Sequence, residues 1–256
     1  MRPTLSLTTI LKVTCLSLLS IGLPFGALAD EDPSRGMIRS LNIDSASVQN
    51  TYYLSGSVDN DTSAGHYLYL YGEGHFALEK DWGLEVDFPN LIARQPLGQG
   101  PAAIESMGLN LRYVMDQFGT SDSDEAGVLS IEAGGEYAFP DSRFKFLSGS
   151  LTPELLGGYR FGKWFIQGNY GFNELVDKPS RNNLFLNTGL GYTLSPEWFL
   201  QVESNSTLFL NDSSLGSDWT IVPQVAFQTG DWLFEFGEEL NGSTSGTTDF
   251  MVARAL

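Results

Sequence analysis

The sequence is poor in cysteine, histidine, basic residues and long apolar runs. Its 256 residues include one cysteine, two histidines and 14 lysines and arginines, against 31 aspartates and glutamates. A single cysteine excludes a disulfide scaffold and a cysteine-based zinc site. The net charge of −17 argues against a nucleic-acid-binding protein, because phosphate contacts need lysine and arginine. Beyond residue 30, no run approaches the roughly 18 apolar residues of a membrane-spanning helix.

The first 29 residues have the pattern of a secretory signal peptide. Arg2 supplies a basic start, an apolar stretch covers 13–28, and Ala27-Leu28-Ala29 provides the small-x-small cleavage pattern. An N-terminal membrane anchor is the alternative, but the stretch is shorter than the ~20 residues of a span. Residues 30–49 show no clear strand, and we expect either a periplasmic tail or a plug. We assign 50–256 to one domain.

Glycine, aromatic residues and strict alternation are abundant. The chain has 28 glycines, 17 phenylalanines, 10 tyrosines and 5 tryptophans, and apolar residues take every second position over 82–88, 107–115 and 129–137. A period of two gives a strand one apolar and one polar face. Segments of about nine to twelve residues match tilted strands that cross a bilayer, whereas soluble strands average about five or six. A soluble β-sandwich is the alternative, but its solvated faces would carry more lysine.

Twelve such segments can be delimited. They are 50–58, 65–79, 82–90, 103–116, 127–138, 150–161, 163–173, 183–194, 197–208, 217–228, 231–240 and 248–256. Links after even-numbered segments are tight except 117–126, and links after odd-numbered segments, such as 241–247, are longer. Outer-membrane barrels have short periplasmic turns, longer outer loops and an even number of strands. The sequence therefore predicts an all-β, antiparallel up-and-down transmembrane β-barrel of about 12 strands. Ten strands are the alternative, because the first two segments are the weakest.

Tryptophan recurs where a segment follows a short turn. Trp164, Trp198 and Trp232 are 34 residues apart, and Trp82 opens another segment in the same way. The aromatic residues that end descending segments nearby are Tyr113, Tyr159, Tyr192 and Phe227. Because amphipathic rings favour the headgroup level, we expect an aromatic girdle at the periplasmic rim.

Four stretches resemble a known family. They are 79–89 (EKDWGLEVDFP), 151–164 (LTPELLGGYRFGKW), 189–198 (GLGYTLSPEW) and 219–225 (WTIVPQV). These motifs look like hairpin patterns of the outer-membrane transporters named for the MetA pathway of phenol degradation, and the resemblance covers about 76–256. It implies a barrel that passes small, often aromatic, compounds, and it brings no catalytic residue.

Alternation assigns most charged strand residues to an inward face. The acids are Glu73, Glu79, Glu85, Asp87, Asp116, Glu132, Glu136, Glu154, Glu203, Glu235 and Glu239, and the bases are Arg112, Arg160 and Lys163. The residues that we expect to line a pore are Glu85, Asp87, Arg112, Glu132, Glu136, Glu154, Arg160, Glu203, Glu235 and Glu239. The predicted function is passive passage of small solutes, hydrophobic or aromatic compounds among them, through a polar acidic lumen. A polar network that only fills and braces the barrel is the alternative.

Two other functional classes stay open. A lipid hydrolase would need a histidine base, and His75 shares a face with Glu73 and Glu79, although no serine lies close to it in sequence. A barrel with a structural or adhesive role would have long loops, whereas the predicted outer loops reach about twelve residues. We expect no catalytic residue, cofactor or metal. The expected partners are outer-membrane lipid, a small-molecule solute and the barrel assembly machinery of a Gram-negative envelope.

Overall fold

The structure is a computed structural model of the chain. It describes residues 41, 43, 45–59, 67–89, 91–94, 102–104, 106–120, 123–139, 149–176, 182–210, 217–241 and 244–255. The predicted signal peptide, 1–29, and most of 30–49 lie outside the described residues. In the part of the chain that is described, no helix is long and apolar enough to cross a membrane.

The described residues form fourteen strands of one antiparallel sheet. They are β1 (Thr51–Asp59), β2 (Tyr67–Ala77), β3 (Trp82–Asp87), β4 (Leu91–Arg94), β5 (Ala102–Ile104), β6 (Ser106–Phe118), β7 (Glu125–Ala138), β8 (Ser150–Phe161), β9 (Trp164–Leu175), β10 (Asn183–Thr193), β11 (Trp198–Phe209), β12 (Ser217–Thr229), β13 (Trp232–Asn241) and β14 (Thr244–Ala255). Each of the twelve predicted segments overlaps one of these strands. The all-β, up-and-down prediction is therefore confirmed.

The strand pairings return to the strand at which they begin. β1 pairs with β2 along one edge and with β14 along the other. From β2 the ladder passes to β3 and β6, and then through each following strand to β14. β4 and β5 extend this ladder beyond Pro89, whose missing amide hydrogen accounts for the break after β3. Without these two short extensions, twelve of the described strands form the ring.

One end of the ring, here called the turn end, has the tight turns. Links 78–81, 119–124, 162–163, 194–197 and 230–231 lie there. Glycines at three of these links have φ between 56° and 75°, a conformation that side chains with a Cβ rarely adopt; they are Gly119, Gly162 and Gly230. The opposite end is called the loop end.

One predicted outer loop is wrong. β13 and β14 continue until Asn241 pairs with Thr244, so the link is 242–243 rather than 241–247. The link reads Gly242-Ser243. Residues 244–249 are small or polar, so this part of β14 shows no apolar alternation, and the sequence pattern does not reveal that the strand begins there.

The outer face of the ring is apolar. Leu111, Ile131 and Leu200 are exposed, whereas the residues that follow them in the chain, Arg112, Glu132 and Gln201, are buried. A protein dissolved in water normally has the reverse arrangement. An apolar outer belt over a polar interior is the surface that a barrel presents to lipid.

The predicted aromatic girdle is present at the turn end. Ring centroids lie 4.8 Å apart for Trp82 and Tyr113, 4.7 Å for Trp164 and Tyr192, and 4.8 Å for Trp198 and Phe227. Each pair joins the first residue of a strand to an aromatic residue of the neighbouring strand. Trp82, Trp164, Trp198 and Trp232 are all exposed, as rings at a headgroup level should be.

Candidate functional site

The inward face of the ring is apolar at the turn end. A buried cluster there contains Val114, Val128, Leu156, Phe165, Phe199 and Ala226 from the strands, and Leu233 packs against it. Phe165 lies across the neighbouring strand β10, because a Cβ built on Gly191 would stand only 2.0 Å from its Cζ atom. Sequence alternation does not predict this apolar cluster. The signal was available in Trp-Phe-Ile at 164–166 and Trp-Phe-Leu at 198–200, where apolar residues interrupt the alternation.

Five charged side chains from four adjacent strands lie next to this cluster. They are Glu73, His75, Glu85, Arg112 and Glu132. Arg112 Nη2 lies 2.9 Å from Glu85 Oε2 and 2.5 Å from Glu132 Oε2. His75 Nε2 lies 2.9 Å from the same Glu85 oxygen and also contacts Glu73 Oε1. Four of the five residues are at most 5% exposed, so these charges are compensated by each other rather than by water.

A chain of amide side chains crosses the opposite wall. Gln167 Nε2 donates to Gln201 Oε1 at 3.3 Å, and Gln201 Nε2 donates to Gln224 Oε1 at 3.0 Å. Gln224 in turn donates to Glu203. All four residues are buried. We call this set the amide chain.

A cavity of about 400 Å³ opens at the loop end. Its wall carries the carboxylates Glu73, Glu85, Asp87, Glu136 and Glu154 beside neutral polar residues such as Asn110 and Thr152. Asn110 donates to Glu85 Oε1 at 2.7 Å, and Ser106 donates to Glu136. Asn169 Nδ2 donates to Glu154 Oε2 at 2.7 Å. A cavity with this lining is suited to water and to solutes that compensate negative charge.

The predicted pore-lining residues fall into two groups by burial. Glu85, Arg112, Glu132, Glu203 and Glu235 are buried on the inward face. Asp87, Glu136, Glu154, Arg160 and Glu239 are half-buried. The structure brings Glu85, Arg112 and Glu132 into one cluster and places Asp87, Glu136 and Glu154 around the cavity.

Residues near the turn end depart from the simple alternation. Arg160 holds the link between β6 and β7, since its Nη2 donates to the carbonyl oxygens of Thr120 and Ser123 at 2.9 Å each. Asp116, assigned inward by alternation, is exposed, because the register shifts between Val114 and Asp116 and an extra residue reverses the side on which the next one lies. Glu79 and Lys163, also assigned inward, are exposed at the turns.

A segment that precedes β1 contacts the inward wall. Arg112 Nη1 donates to the carbonyl oxygen of Ser45 at 2.5 Å. The hydroxyl of Ser130 donates to the carbonyl oxygen of Ala46. Ala46 is 5% exposed within the apolar cluster, and Val48 packs against the same cluster. Residues 45–50 therefore share the lumen with the strands' own side chains.

His75 belongs to this buried cluster rather than to a surface site. Its ring lies 5.0 Å from that of Tyr53, and its Nε2 atom contacts two carboxylates. The ligand atoms of Glu73, His75 and Glu85 lie within 4.8 Å of one another, a donor set that divalent metal ions accept. The same atoms also pair with one another and with Arg112, so ion pairing accounts for the arrangement without a metal.

Comparison with known proteins supports the fold. No family model and no curated protein matches the chain, so membership of the phenol-degradation family is not confirmed. A solved structure of the KdgM porin aligns with a TM-score of 0.52 at 13% identity, covering 80% of this chain and 99% of that one. A second, the KdgM porin in complex with disordered oligogalacturonate, aligns with a TM-score of 0.50 at 14% identity over 81% and 98%. At these identities the likeness shows that the chain has a porin-like barrel fold.

Proposed function

We propose that the protein is an outer-membrane channel for small solutes that favours cations and uncharged molecules over anions. The porin-like ring, the lipid-facing belt and the girdle support a place in the outer membrane. The cavity at the loop end supports passage of solutes. The pathway needs no covalent chemistry, since selection follows from width and charge.

The lumenal charge carries this proposal. The acids on the inward face are Glu73, Glu85, Asp87, Glu132, Glu136, Glu154, Glu203, Glu235 and Glu239. Among the side chains that are described, the inward bases between the cavity and the apolar cluster are Arg112 and His75, and both are engaged by carboxylates. A ring of excess carboxylates raises the local concentration of cations and lowers that of anions.

The negative charge of the inward wall also indicates which kind of solute the channel accepts. Oligogalacturonate, the ligand named with the KdgM porin, is a polyanion. The acidic wall of this chain would repel a polyanion, so its solute class differs although the fold is shared. Passage of aromatic compounds, which the family resemblance implies, stays a prediction. Small organic cations and neutral polar molecules are the solutes most compatible with the charge and polarity of this wall.

Planar-bilayer recording of the purified, refolded barrel tests the proposal. We expect stepwise conductance and, in a potassium chloride gradient, a reversal potential displaced toward that of potassium. Bilayers that receive detergent alone are the control for the steps. Heat-modifiable gel migration of the same sample shows that the barrel has folded. A folded barrel that prefers chloride, or that passes no current, would contradict the proposal.

A further inference from the structure

We propose that Ile43 and residues 45–49 form an internal plug, seated on the inward wall, that closes the turn end of the lumen until it is released. This inference rests on the proposed channel function, because a plug matters only where a pathway exists. In this proposal, the inward wall of the barrel binds a segment of the same chain.

The plug is anchored through its backbone. Arg112 is oriented by Glu85 and Glu132, which take its Nη2 and Nε hydrogens. That leaves Nη1 directed at the plug, where it donates to the carbonyl of Ser45 at 2.5 Å and approaches that of Ser47 at 3.4 Å. Ser130, on β7, adds a bond to the carbonyl of Ala46. Backbone carbonyls that lie in the apolar part of the lumen need hydrogen-bond donors, and these two wall residues supply them.

The plug also has an apolar seat. Ile43 is fully buried, and Ala46 completes the apolar cluster. Val48 lies over Gly83 of β3: a Cβ built on that glycine would stand 3.1 Å from Val48 Cγ2. The glycine therefore leaves the space that the valine occupies, as in a fitted protein core.

The plug completes the apolar cluster inside the turn end of the lumen. The apolar cluster is built by wall side chains such as Phe165, Phe199 and Leu156, and Ala46 and Val48 pack into it. The polar cavity lies further toward the loop end. A solute that enters the cavity meets this apolar closure before it reaches the turn end. Removing Ala46 and Val48 would take away the part of the closure that is not fixed in a strand.

A reversible crosslink tests the position of the plug. The Cβ position at Gly83 lies 3.7 Å from Val48 Cβ, within the range of about 3.5–4.5 Å that a disulfide requires. The full chain with Cys15→Ser, Val48→Cys and Gly83→Cys should therefore form an intramolecular disulfide, detected by mass and by gel mobility. The control pairs Val48→Cys with Gly189→Cys, on the inward face of β10 across the ring, and should not crosslink. Failure of the first pair, or equal crosslinking of the second, would overturn the position of the plug whatever the channel does.

Conductance of the same protein tests the closure. Oxidation should abolish openings, and reduction should restore the brief openings of the wild-type chain. Ser130→Ala removes one plug anchor and should raise the open probability about two- to tenfold, the effect of one lost hydrogen bond. Ser206→Ala, which removes a hydroxyl from the exposed outer face of β11, is the control and should leave the open probability unchanged. A disulfide that forms and leaves conductance unaltered would overturn the closure while the channel proposal stands.

Discussion

Neutralising three cavity carboxylates should weaken the preference for cations over anions by roughly a hundredfold. The variant carries Asp87→Asn, Glu136→Gln and Glu154→Gln, which keep the size of each side chain and its ability to accept a hydrogen bond. A cavity of about 400 Å³ places its wall roughly 5 Å from its centre. At that distance, with a dielectric constant of about 80 and 0.1 M salt, each carboxylate lowers the free energy of a monovalent cation by ~0.5 kcal/mol.

The three contributions sum to ~1.5 kcal/mol for the cation, and they raise the free energy of a monovalent anion by a similar amount. The cation to anion ratio therefore changes by about 3 kcal/mol, which is roughly a hundredfold. The assay is the reversal potential in a potassium chloride gradient, measured for the variant and for wild type at equal pH. At about 1 M salt the Debye length falls to ~3 Å, so the difference between them should shrink to roughly fivefold.

Glu174→Gln is the matched control. Glu174 lies on β9 at the loop end and is exposed on the outer side, next to the cavity residue Asn173. Its neutralisation changes the net charge of the protein and leaves the lumen unchanged, so the permeability ratio should stay as in wild type. A triple variant that shifts the ratio no more than this control would refute the assignment of selectivity to the cavity.

Three further outcomes follow from the packed interior. Phe165→Ala should lower the free energy of unfolding by about 3–5 kcal/mol in urea titrations, whereas Phe161→Ala, at an exposed rim position, should cost far less. Arg112→Gln should cost a similar ~3–5 kcal/mol, because it leaves buried carboxylates unpaired, and adding Glu85→Gln should recover part of that loss; no recovery would speak against the pairing. Purified barrel should release no fatty acid from phospholipid, and a release that His75→Ala abolishes would favour the hydrolase alternative.

Sequence alternation was sufficient to locate the ring of strands. The period of two reports which face of a strand meets an apolar environment, and in a barrel that signal repeats in every strand. Alternation failed where a strand contains one extra residue, and where both the inward and the outward face of a strand are apolar. The register shift after Val114 moved Asp116 to the outside, and Phe165 turned inward beside Trp164 although both are apolar.

The lumenal contacts were less accessible from the sequence. Alternation identified Glu85, Arg112 and Glu132 as inward. It does not show which residues of neighbouring strands lie side by side, so it could not predict that these three form one cluster. The plug was harder still, because Arg112 and Ser130 bind carbonyl oxygens. Every residue has a carbonyl oxygen, so the amino-acid sequence does not show which residues are bound in this way.

The height of the apolar cluster has an electrical consequence. Phe165 follows Trp164 directly, so the closure lies level with the girdle, at one membrane surface rather than at the centre of the bilayer. An applied voltage drops mainly across the region of greatest resistance. In the closed barrel, most of the field would therefore act on the short stretch that holds the plug and the charged cluster around Arg112. The two polarities would then act unequally on the plug, and the channel would open more readily for one sign of voltage than for the other.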